Sequence, residues 1–141
     1  MSDIYDLAPK VELHLHLEGT IPLDTLLILV DDPEVRDRES LVAKLAYRDF
    51  VHFIETWVWM TVYLQTEDAF VSAAEAVARD LVRQNIVYAE ASFSPIDYAK
   101  RGLSPQQIAI RKGLARVPEA TVSLNCDLVP RQRPRARRTH A

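Results

Sequence analysis

Three short runs, at residues 11–17, 86–93 and 120–126, have the composition of strands, and the stretches between them carry helical spacing. That order constrains the fold most. A strand reached again through a helix pairs in parallel, so the chain is expected to build parallel βα units. The first run, VELHLHL, alternates strictly. Side chains on a strand point to opposite faces in turn, which places Val11, Leu13, Leu15 and Leu17 on one face and Glu12, His14, His16 and Glu18 on the other. Gly19 ends the run.

Residues 22–30 are expected to form a short helix opened near Pro22 or Asp24, and the charged stretch 31–40 to be mostly loop. Residues 49–64 suit a largely buried helix, because Phe50, Phe53, Ile54, Trp57, Met60 and Tyr63 or Leu64 recur at helical spacing. The clearest helix covers 67–84. Thr66 can cap it, Glu67 and Asp68 sit in its first turn, and Phe70, Ala73, Ala74, Val77 and Leu81 make its apolar stripe. Ser104-Pro105 with Gln107 is a start signal for a last helix reaching about Leu114.

With 141 residues, 48% of them hydrophobic and 26% charged, the chain fits one soluble globular domain. No apolar run approaches the ~20 residues of a membrane span, and the N-terminus lacks the pattern of a secretory signal. The single cysteine, Cys126, excludes an internal disulfide and a multi-cysteine zinc site. It is expected to be a small buried hydrophobe, and a reducing cytoplasm is the expected setting. The net charge of −3 hides an asymmetry. Residues 130–141 hold five arginines and no acid, so the preceding part has twelve basic residues against 20 acidic ones, a balance of −8. Such an acidic body speaks against nucleic acid as a partner.

Two of the chain's four histidines, His14 and His16, stand one residue apart on the alternating run. On one strand face their imidazoles can share an ion, and neutral imidazole is a common zinc ligand. A strand face that merely carries polar residues is the alternative. An acid, Glu18, follows on the histidine face. Glycine next to it lets the backbone turn or approach a ligand closely. In a parallel barrel, the carboxyl end of a strand is where active sites are built. His52 is expected to be a surface histidine or a satisfied core one. Phe53, Trp57 and Trp59 suit either a pocket wall or core packing. Glu90 is expected either to point toward the site or to pair with an arginine.

The stretch KVELHLHLEGT at 10–20 resembles the N-terminal signature of the adenosine deaminase family, metal-dependent hydrolases of the amidohydrolase superfamily. VYAEASFSP at 87–95 resembles that family's second barrel strand and the turn after it. The resemblance runs from about Leu7 to Asp127. It implies the N-terminal part of a (β/α)8 barrel holding one zinc, which activates a water that attacks C6 of a purine so that ammonia leaves. His14 and His16 match the first two zinc ligands, and His16 also lies where substrate contacts begin. Glu18 falls where adenosine deaminases carry an aspartate for the ribose, a departure that looks more like adenine deaminases and related enzymes.

A barrel of this kind takes about 250 residues, and three of its eight strands are visible here. The family's third histidine ligand, aspartate ligand, proton-shuttling glutamate and second catalytic histidine have no matching positions; His140, the only histidine after His52, lies in the arginine-rich tail. The expected organisation is therefore residues 1–129 as an incomplete barrel segment, and 130–141 as a disordered or out-of-frame tail. Two function classes follow. One is a purine deaminase acting on adenosine, adenine or aminodeoxyfutalosine, inactive until a complementary chain supplies the missing barrel half. The other is a non-catalytic or interaction fragment.

Overall fold

In the computed structural model, which describes residues 4–94 and 106–126, the alternating run becomes strand β1 (Lys10–His16), preceded by one helical turn, α1 (Ile4–Leu7). Leu17 already has helical backbone angles, and a 3-10 turn follows over Glu18–Thr20. Helices α2 (Leu23–Leu29), α3 (Arg38–Leu45), α4 (Phe50–Thr61) and α5 (Glu67–Arg83) lead to strand β2 (Ile86–Phe93). Helix α6 (Gln106–Leu114) and strand β3 (Val122–Cys126) complete the described part. The three strands form one parallel sheet in the order β1-β2-β3. This is the expected chain of parallel βα units, an arc of a barrel and not a closed one. No helix among the described residues is long and apolar enough to cross a membrane.

The faces of β1 differ from strict alternation. Lys10 pairs with Ile86 and Val11 with Tyr88, so one step on β1 matches two on β2; Glu12 then pairs with Ala89 and Leu15 with Ala91, so three steps on β1 match two on β2. Leu13 and His14 thus oppose one residue, a β-bulge, which is rare between parallel strands. Cross-strand partners share a face. Val11 with Tyr88 and His16 with Ser92 therefore lie on one face, and Glu12 with Ala89 and Leu15 with Ala91 on the other. The bulge turns Leu13 and His14 to the same side. Exposure agrees: Val11 is 56% and Leu13 63% exposed, whereas Leu15 is 6% exposed. Val11 and Leu13 thus join the histidine face and Glu12 leaves it, because the two opposite register shifts change the parity of the strand between them. The side-chain carboxylate of Glu12 accepts the His14 N–H at 3.1 Å, which satisfies a donor that the bulge takes out of regular pairing.

The opposite face carries the core. Leu15, Ala89, Ala91 and Phe93 pack under α5, which buries Phe70, Ala73, Ala74, Val77 and Leu81, the stripe read from its spacing. Thr66 Oγ1 accepts the Ala69 N–H at 3.1 Å and caps the helix. Replacing Thr66 with alanine is expected to lower stability by about 1 kcal/mol, measured as a shift in the urea midpoint at constant slope. Helix α6 lies against α5 at Gly113. A Cβ there would stand 2.3 Å from the Val71 carbonyl oxygen and 2.8 Å from Ala74 Cβ, so the two backbones meet with no room for a side chain. Ion pairs from Lys112 to Glu67 and from Arg116 to Glu75 flank this contact. Between α5 and β2, Asn85 adopts φ 57°, a left-handed conformation that asparagine tolerates better than most residues. Its side chain donates to the Leu7 carbonyl at 2.7 Å and its own carbonyl accepts from Lys10 N–H at 2.9 Å, tying the start of β1 to the start of β2.

Three further expectations are corrected. Part of the stretch read as loop opens α3: Asp37 accepts from the Ser40 N–H, and the Ser40 hydroxyl accepts from the Asp37 N–H in return. Helix α4 is only half covered. Trp57, Trp59 and Met60 pack with the core, but Phe50, Val51, Ile54 and Val58 are exposed, since apolar residues occupy both sides of this helix. Cys126 is exposed at the end of an edge strand and not buried. The expected helix start at Ser104-Pro105 and the tail 130–141 lie outside the described residues.

Candidate metal centre

The bulge and the last residues of β1 bring His14 and His16 together on the uncovered sheet face. Their rings stand 5.2 Å apart at 66°, and the two Nε2 atoms are 3.4 Å apart. Two nitrogens bound at about 2.0–2.1 Å to a tetrahedral zinc stand roughly 3.3–3.4 Å from each other. The separation of the donor pair therefore matches the bite of a zinc site. The same approach serves a hydrogen bond between a protonated and a bare nitrogen, so the pair is poised for either. Among the described residues no third histidine, cysteine or carboxylate joins them in a ligand cluster.

The backbone after His16 is held firmly. Leu17 N–H donates to the Ser92 carbonyl at 3.0 Å, and the Thr20 hydroxyl lies 3.2 Å from the His16 carbonyl and 3.1 Å from that of Leu17. Because Leu17 leaves the strand, alternation no longer decides where Glu18 points. It sits in the 3-10 turn, 3% exposed, among the few buried charged side chains.

The register adds three residues that sequence reading passed over, Ser92, Ser123 and Asn125, and sets the already expected Glu90 among them. Ser92 and Asn125 lie level with His16, and Glu90 and Ser123 lie one row below, all on the histidine face. Their signal was available: they occupy the carboxyl ends of the second and third predicted strands. Glu90 accepts a hydrogen bond from the Tyr88 hydroxyl at 3.1 Å.

Beside the histidines, Gly19, Ile21, Leu26, Phe53, Trp57 and Met60 line an apolar cavity of about 250 Å³. Trp57 packs perpendicular to His16, with ring centroids 5.7 Å apart. Trp59 belongs elsewhere: its indole N–H donates to Asp32 at 2.8 Å, and Lys44 stands 5.6 Å over its ring. The backbone N–H of Glu34, with help from Trp59 and Lys44, holds the Asp32 carboxyl below the usual carboxylate range. His52 accepts the Arg48 N–H through Nδ1 at 3.2 Å and lies on a separate cleft between α3 and α4, as a satisfied surface histidine.

A parallel arc with helices on one face and two adjoining histidines at the carboxyl end of its first strand matches the opening portion of a (β/α)8 barrel. The adenosine deaminase family profile matches residues 9–125, and the chain belongs to that family. A probable adenosine deaminase of Dictyostelium discoideum is 34% identical over 124 residues, covering 80% of this chain and 16% of that protein. The crystal structure of adenine deaminase from Arthrobacter aurescens superposes with a TM-score of 0.72 at 26% identity, over 84% of this chain and 39% of that one. An amidohydrolase from Burkholderia ambifaria, with bound Zn, gives a TM-score of 0.69 at 25% identity, over 85% and 35%. The chain thus spans well under half the length of each of these proteins.

Proposed function

We propose that this chain forms the first part of a zinc site in an aminopurine deaminase, with His14 and His16 as two of the metal ligands. The observation that carries this reading is the 3.4 Å separation of the two Nε2 atoms on the open sheet face. The reaction is hydrolytic: oxygen from water replaces the 6-amino group of the purine, and ammonia is released, as in adenosine to inosine. When bound, zinc supplies the Lewis acidity that makes water a nucleophile near neutral pH. His14 and His16 hold the ion in place. Phe53 and Trp57, at the mouth of the adjoining apolar cavity, offer a wall for the purine ring. The remaining ligands and the groups that move protons come from barrel strands beyond those described, in the same polypeptide or in a complementary chain.

Adenine is the second reading of the substrate. It is favoured by Glu18, longer by one methylene than the aspartate that the family resemblance places against a ribose, and buried in the turn after β1.

The test combines metal and turnover. Purified chain is incubated with zinc and with adenosine or adenine, alone and together with a polypeptide carrying the remaining barrel strands of a relative, and the ultraviolet change from amino- to oxopurine is followed. Zinc binding by the chain and turnover only in the mixture are expected. Zinc binding without turnover in any mixture would instead favour a non-catalytic fragment.

A further inference from the structure

We infer that Trp57 is the positioning residue for His16, and that Gly19 supplies the space its ring requires. The inference rests on the metal reading above, but concerns how the second ligand is aimed.

A metal-binding histidine normally has its other ring nitrogen tied to a carboxylate, a carbonyl or a water, which fixes the ring's orientation. Among the described residues no side chain or carbonyl hydrogen-bonds to the Nδ1 atom of His16; its ring makes the 3.4 Å contact with His14 and the perpendicular contact with Trp57. His16 is also on the open face, where solvent leaves its ring otherwise unconfined. Besides the neighbouring ligand His14, the indole is the aromatic surface among the described residues that packs on this ring and limits its rotation. Trp57 is itself well held. It lies 6.3 Å from Phe53 in ring centroids, one turn back on α4, and packs against the main core.

Gly19 completes the arrangement. A Cβ at this position would lie 2.8 Å from Trp57 Cζ3 and 3.9 Å from His16 Cβ. Its φ is not in the left-handed region, so the backbone does not demand glycine here. What demands it is the closeness of the indole. His16, Gly19 and Trp57 come from a strand end, a 3-10 turn and a helix about forty residues later, and they meet in one packed group. An added methyl at Gly19 pushes the indole away from the imidazole, and the imidazole then loses the rotamer that places its Nε2 beside that of His14.

The experiment is a cycle of variants read by zinc affinity, measured by competition with a chromogenic chelator, and by the visible spectrum of bound cobalt. Trp57→Leu keeps an apolar side chain without the ring and is expected to weaken zinc binding by about 10- to 100-fold, the range for loss of a ligand-orienting neighbour. Trp57→Phe, which keeps a ring edge, is expected to recover most of that loss. Gly19→Ala should weaken binding to a similar degree in the natural chain, but add almost nothing in the Trp57→Leu background, where there is no indole to displace. Circular dichroism separates folded variants from unfolded ones. Unchanged zinc affinity in folded Trp57→Leu would overturn the inference, as would equal affinity of Trp57→Leu and Trp57→Phe. If His16→Ala binds zinc as the natural chain does, the fault lies instead with the ligand assignment.

Discussion

Alanine in place of His14 or His16 removes chelation of zinc by the pair, with affinity falling by at least roughly 100-fold, since even loss of a residue behind a ligand costs about 10- to 100-fold. The argument is geometric. Each imidazole contributes one nitrogen, and the pair binds as a chelate only because β1 and its bulge hold both on one face with the nitrogens 3.4 Å apart. A single remaining histidine is an ordinary surface imidazole. The double variant should therefore bind little worse than either single one. His52→Ala is the internal control: that ring is engaged by the Arg48 N–H and lies on another cleft, so its loss should leave affinity unchanged. Competition with a chelator at fixed pH reads all four proteins. Zinc content unaffected by the His14 and His16 changes would mean that their close approach is only a hydrogen bond.

Phe70→Ala should be the most damaging single change to stability, at about 3–5 kcal/mol. Phe70 is fully buried on α5 and meets Phe93 of β2 edge to face, with centroids 5.9 Å apart. Removing the ring leaves a cavity at the point where the longest helix crosses the central strand. Little can collapse into it, because the surrounding residues Ala73, Ala74, Ala89 and Ala91 are small and already in contact. A loss of that size is a large share of the roughly 5–15 kcal/mol that holds a typical domain together. Urea unfolding followed by far-ultraviolet circular dichroism measures it, and Val82→Ala on the outer side of the same helix should cost far less. A comparable small effect for both variants would place the core elsewhere.

The parts of the fold that were legible in the sequence are those set by local pattern. Strand β2 and helix α5 stand within a residue of their expected ends, because apolar spacing, a threonine cap and flanking turn residues all agree there. Helix α3 was hidden because its cap pairs Asp37 with a serine instead of the more familiar glutamate or glutamine, inside a run whose charge reads as loop. The two-sided apolar character of α4 could be seen, but not which side the core would take. His14 and His16 were legible as a pair from spacing alone. Trp57 was not separable from Trp59, since two tryptophans two residues apart on a helix give no sign of which one reaches the strand end. Gly19 looked like a turn residue, while its tight contact is with a residue far away in sequence.

The bulge at Leu13 and His14 has a consequence for how chains of this kind can vary in length. An ordinary strand that loses one residue exchanges its two faces beyond the gap. Here the doubled position absorbs the change: a chain without Leu13 would pair evenly with β2 from Val11 onward, and both histidines would still look toward the same side as Val11. Loss of Leu15, the residue between the two histidines, has no such reserve and would turn one imidazole into the core. The spacing between the two histidines is therefore fixed, while the spacing between them and the start of the strand is free to differ by one.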